Sequence, residues 1–205
     1  MNNYNKAQIK SHLALIKQSI KDDVGSVLSV YSGNMCGFFA IPRLLFPEID
    51  GLGSFITGDI KSNTENIVTY FKLILSKIDS RYEKFAVFMT FVYRHGLLHQ
   101  HSPKKFKYKN KEVGWIFNIS HTNNPLEVQR EYHLVFRGDL LQIDMNLFYN
   151  DVFNSIDILE KMITIKYTNE FTKAVKDQTT ALNKTAILKK KNYKKFIKKS
   201  DFNFL

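Results

Sequence analysis

A chain of 205 residues with 44% apolar and 14% aromatic side chains holds enough material for a packed core, which excludes disorder throughout and points to one domain over residues 1–205. The single Cys36 excludes an intramolecular disulfide, and the start of the chain lacks a charged patch followed by an apolar leader, so a cytoplasmic protein is expected. The formal charge of +11 is uneven: residues 178–200 carry eight lysines and no acid, and without them about +3 would remain. Such a lysine-rich C-terminal tail attracts nucleic acid or anionic lipid through counterion release, or is simply a solvated helix end.

Residues 5–21 place Ile9, Leu13, Ile16 and Ile20 at helical spacing, and Asp22-Asp23-Val24-Gly25 is expected to close that helix. Residues 38–45 read as a short apolar segment broken at Pro42 and Pro47, with a turn at residues 50–54. The stretch 35–58 is the best membrane candidate, but Arg43, Glu48, Asp50 and two prolines argue for soluble core and no membrane partner. Ser62 or Asn63 can cap a helix running to about residue 79, with Ile67, Tyr70, Phe71, Ile74, Leu75 and Ile78 on its inner face. Ser80 can cap the next helix, whose Phe85, Phe88, Met89 and Val92 nearly surround it with apolar groups and predict a central position.

Pro103 interrupts regular structure. Residues 113–119 and 132–136 are rich in strand formers, Arg137-Gly138-Asp139 is a turn, and residues 140–145 read as the returning strand. The triplet at that turn is read as hairpin chemistry and not as an adhesion signal. Residues 121–130 are expected as an exposed loop. Helical spacing resumes over 146–167 and again over about 169–188. The predicted fold is mainly α: a helical bundle with a small antiparallel β-sheet insertion at about residues 112–145. No internal repeat or Pro/Gly/Ser-rich linker is present.

The chemistry concentrates at Tyr93-Arg94-His95-Gly96-Leu97-Leu98-His99-Gln100-His101, directly after the mostly apolar run 85–92. Arginine offers a planar, permanently charged fork for phosphate, and histidine moves a proton near neutral pH. That combination suits cleavage of a phosphodiester without metal. The order Arg94, a polar His95, three further residues and His99 resembles the signature of the HEPN superfamily, α-helical domains found in many prokaryotic defence and toxin systems.

The resemblance implies a metal-independent endoribonuclease with no cofactor. His99 would act as base on the ribose 2′-hydroxyl or as acid toward the leaving 5′-oxygen, and Arg94 would hold the scissile phosphate and its growing charge. His95 would orient the pair or contact RNA. His101, Lys104 and Lys105, together with Lys189, Lys190 and Lys191 of the tail, are the candidate RNA contacts. The family's site is usually shared across a homodimer, so a composite site on a two-fold axis is implied, with an antitoxin or other protein partner possible. The sheet departs from a minimal four-helix HEPN domain.

Other readings compete. Arg94 and His95 could merely end a helix whose dipole favours cations, leaving a non-catalytic module that binds a nucleotide, RNA or a protein. His95, His99 and His101 could hold zinc, although no Glu follows His95 as the zincin pattern requires. His12, His121 and His133 have no ligand spacing to one another, and no metal is expected. Phosphate-binding glycine loops, the Gly-x-Ser-x-Gly elbow, a base for Cys36 and paired carboxylates are all missing from the pattern.

Overall fold

Asn5 starts the first helix with a reciprocal cap: its side chain accepts the Gln8 N–H at 2.9 Å, and the Gln8 side chain accepts the Asn5 N–H at 2.9 Å. Helix α1 (Lys6–Ile20) then buries Ile9, Leu13 and Ile20. The computed structural model describes residues 4–29, 39–91, 105–108, 111–118 and 130–185.

The expected stop at residues 22–25 does not occur. Helical dihedrals continue through a π turn (Lys21–Gly25) into the short α2 (Ser26–Ser29). Side chains four apart hold the turn, Gln18 to Asp22 at 2.8 Å and Ser19 to Asp23 at 3.4 Å. Gly25 serves proximity: a Cβ there would stand 3.1 Å from the Tyr149 hydroxyl.

The expected break over residues 38–54 is also overturned. Helix α3 (Ala40–Thr57) runs through Pro47 and through the glycines read as a turn. Pro42 lies in the first turn, where backbone N–H groups have no intrahelical partner to lose. Gly53 is where α4 (Asn63–Leu73) crosses: a Cβ on it would lie 2.2 Å from the Asn66 carbonyl oxygen. The helix ends at Gly58, whose φ of +68° and N–H bond to the Ser54 carbonyl make a left-handed cap.

The buried Asn66 locks this crossing. It accepts from the Thr57 hydroxyl at 2.6 Å and donates to Asp50 at 3.0 Å and to the Asp59 carbonyl at 2.8 Å. Neither predicted serine cap forms. Ser62 donates instead to Asp59, and Asp79, not Ser80, accepts the Arg81 N–H at the start of α5 (Arg81–Met89). Helix α5 buries Tyr82, Phe85, Ala86 and Met89, but Val87 is close to half exposed, so it is not surrounded.

Two further helices form one rod. Helix α6 (Met145–Met162) passes through a π turn (Ile163–Tyr167) into α7 (Thr168–Thr185), so the first residues of the presumed lysine-rich tail are helical. Helix α1 lies antiparallel along the rod: Tyr4 N–H donates to Thr172 at one end and Lys17 pairs with Asp157 at 2.7 Å toward the other. At the centre, Phe46 of α3, Phe71 of α4, Tyr82 of α5 and Phe148 of α6 pack with ring centroids 5.7–6.2 Å apart. Such ring pairs add to the burial energy of the core.

The chain is thus mainly helical with a small sheet insertion. The sheet has the order β1-β2-β4-β3, from β1 (Phe106–Tyr108), β2 (Lys111–Asn118), β3 (Val135–Arg137) and β4 (Leu140–Asp144). The β3–β4 hairpin turns at Gly138 as expected, with φ of +60°. However, β2 pairs in parallel with β4, so the sheet is mixed and not antiparallel. Strand β4 buries Leu141, Gln142, Ile143 and Asp144 in succession. Burial of consecutive residues suits a central strand, and β4 lies between β2 and β3, with Leu140 at its start exposed. Among the described residues no helix is long and apolar enough to cross a membrane.

The two glycines of α3 give opposite expectations. Gly53→Ala should destabilise the protein by roughly 2 kcal/mol or more, because backbone must move to admit the methyl group. Gly51→Ala meets nothing within 4 Å and should stabilise by about 0.5–1 kcal/mol. Urea unfolding of the two variants beside the wild type checks both signs.

Candidate functional site

Among the described residues the most connected polar cluster lies where α5, α6 and the segment before β3 meet. Asp151 sits on the inner face of α6 and is 1% exposed. A carboxylate there requires partners, and two converge on it: Arg130 donates both guanidinium ends at 2.6 and 3.0 Å, and the Tyr82 hydroxyl donates at 2.9 Å. The Tyr82 oxygen also meets His133 Nε2 at 2.8 Å. His133 Nδ1 accepts the Asp144 N–H at 3.1 Å, so the ring proton resides on Nε2. The chain of donors therefore runs from His133 to Tyr82 to Asp151.

An outer pair completes the cluster. Arg81 forks onto Asp79 through Nε and Nη2 and also donates to the Arg130 carbonyl at 2.9 Å. Arg130 stands 3.7 Å from Asp79. Two guanidinium groups thus face two carboxylates, and the charges balance. Leu134, beside His133, takes a left-handed φ of 54°, a conformation costing roughly 1–2 kcal/mol for a residue with a Cβ. That backbone lets consecutive residues 133 and 134 both be buried, His133 into the cluster and Leu134 into the core.

Burial governs the protonation states. Removal from water lowers the His133 pKa to about 3, and the two arginines reinforce this, so the ring is neutral. Burial also raises the Tyr82 hydroxyl well above its ordinary range, with Asp151 adding to the effect. For Asp79, burial pushes upward but the Arg81 fork outweighs it and holds the carboxyl below its ordinary value. Burial raises Asp151 against the opposing Arg130 fork. Since Tyr82 and His133 are both 0% exposed, neither can pass a proton to a substrate. The cluster anchors α5 and the 130–134 segment to α6.

The sequence signal for this anchor was present but weak. Asp151 and Ser155 interrupt the apolar stripe of Phe148, Val152, Ile156 and Leu159, and both prove buried and bonded: the Ser155 hydroxyl lies 2.6 Å from that of Tyr70. Arg130 and His133, assigned from sequence to a loop end and a strand, instead open and directly follow a 3₁₀ turn (Arg130–Tyr132) before β3.

Of the predicted site residues, Arg94, His95, His99, His101, Lys104, Lys189, Lys190 and Lys191 lie outside the described residues. Lys105 is exposed at the start of β1 and pairs with Glu112 at 3.6 Å, a surface pair of little energetic weight. His12 packs edge-on against Phe55 and Phe171, and burial lowers its pKa. Among the described residues no group of three His, Cys, Asp or Glu side chains is placed to hold a metal ion.

A neutral buried histidine makes stability pH-dependent. Its folded pKa of about 3 lies below its reference value of 6.5, so in that window the unfolded chain binds the extra proton. Stability should therefore be fully present above about pH 6.5 and fall on acidification by up to ~1.4 kcal/mol per pH unit from this group. Asp79 acts in the same direction and Asp151 against it. Urea midpoints from pH 4 to 8 read the slope, and a flat acid limb would contradict a neutral His133. Tyr82→Phe should cost about 1–3 kcal/mol by stranding the His133 Nε2 donor and removing one of the two bonds to Asp151 Oδ2, which keeps Arg130 Nη1.

Comparison of the chain with protein-family models, curated proteins and solved structures finds no match.

Proposed function

We propose that this protein is a metal-independent endoribonuclease of the HEPN type, acting in the cytoplasm as a homodimer within a defence or toxin module. The observation that carries the reading is the order Arg94-His95-x-x-x-His99, which follows helix α5 in sequence within a mainly helical chain. In the proposed reaction the ribose 2′-oxygen attacks phosphorus and the bond from phosphorus to the 5′-oxygen breaks. His99 takes the 2′-hydroxyl proton or delivers one to the 5′-oxygen, and Arg94 holds the phosphate as its charge grows. The products are a 2′,3′-cyclic phosphate and a 5′-hydroxyl. His95 orients the pair, and two copies of the motif share one groove across the two-fold axis.

Charge distribution supports the choice of RNA as partner. The described residues contain 20 Lys and Arg against 17 Asp and Glu, a net +3 of the total +11. The remaining positive charge belongs to the segments that carry Arg94, Lys104 and the lysines of residues 189–199. Attraction for phosphate is therefore concentrated near the motif in sequence and at the C-terminal end. The His133 cluster, with its charges balanced and Tyr82, His133 and Asp151 buried, holds α5 and supplies no competing centre.

Pure protein incubated with mixed RNA in EDTA should yield fragments ending in cyclic phosphate. His99→Ala should lose roughly 10²–10⁴-fold in cleavage rate with RNA affinity nearly intact. Arg94→Lys should also be severely impaired, because a point charge cannot reproduce the bidentate clamp. Cleavage that persists in His99→Ala, or that vanishes in EDTA and returns with zinc, would overturn the assignment. RNA binding with no cleavage would favour the non-catalytic module.

The tail is tested separately. Truncation after Thr185 should weaken RNA binding and flatten its dependence on salt, by up to ~0.7 in logarithmic slope for each lost contact to a single strand. An unchanged slope would return the lysines to a solvated surface.

A further inference from the structure

No further inference is drawn: the strongest candidate, the outer face of the sheet, where Ile116 and Leu140 are 39% and 40% exposed around a Gln142 amide that has no hydrogen-bond partner, is an apolar face with nothing in the structure to show what covers it.

Discussion

A single buried carboxylate organises the junction between the helices and the sheet. Asp151 lies on the apolar face of α6, where an ion without partners would cost several kcal/mol. Arg130 and Tyr82 meet that demand, and each brings an element with it. Tyr82 fixes the first turn of α5, and Arg130 fixes the segment that enters β3. His133 then ties both to the β4–α6 corner through the Asp144 N–H, while the Asp144 side chain caps α6 by accepting the Leu147 N–H at 3.0 Å. Removing one member deprives a buried donor or acceptor of a partner, which is why single substitutions here cost more than the bond itself.

The same junction stabilises an unfavourable backbone. Leu134 occupies the left-handed region because its neighbours are fixed on both sides, His133 in the polar cluster and β3 in the sheet. Strain of this kind persists only where surrounding contacts over-determine the conformation. The tight turn lets the chain leave a polar interior and enter a strand within two residues. The helix that Tyr82 anchors also precedes Arg94 and His99 in sequence.

Close packing, and not turn chemistry, explains Gly53 in α3, and position in the helix explains Pro42. Gly53 is required where the Asn66 backbone passes, and Pro42 stands in the first turn. A residue type that breaks an isolated helix is tolerated when it serves a crossing, because tertiary contact outweighs about 1 kcal/mol of helix propensity per glycine. The two π turns belong to the same logic. Each carries a buried residue, Val24 or Ile163, toward the core without ending the helix.

Much of the architecture was legible in the residues themselves. The stripes of α1, α4 and α6, the Arg137-Gly138-Asp139 hairpin and the mainly helical class follow from periods of 3.6 and 2 and from a glycine at positive φ, all properties of neighbours in sequence. The Arg94–His99 spacing is likewise a local pattern, and it alone suggested the chemistry. Tertiary structure decided what no local window contains: that Gly53 of α3 faces another backbone, that β4 takes the centre of the sheet beside a parallel β2, and that Tyr82, Arg130, His133 and Asp151 meet. Each depends on partners distant along the chain. In those cases the free energy of burying a polar group or closing a gap exceeds the local preference that sequence displays.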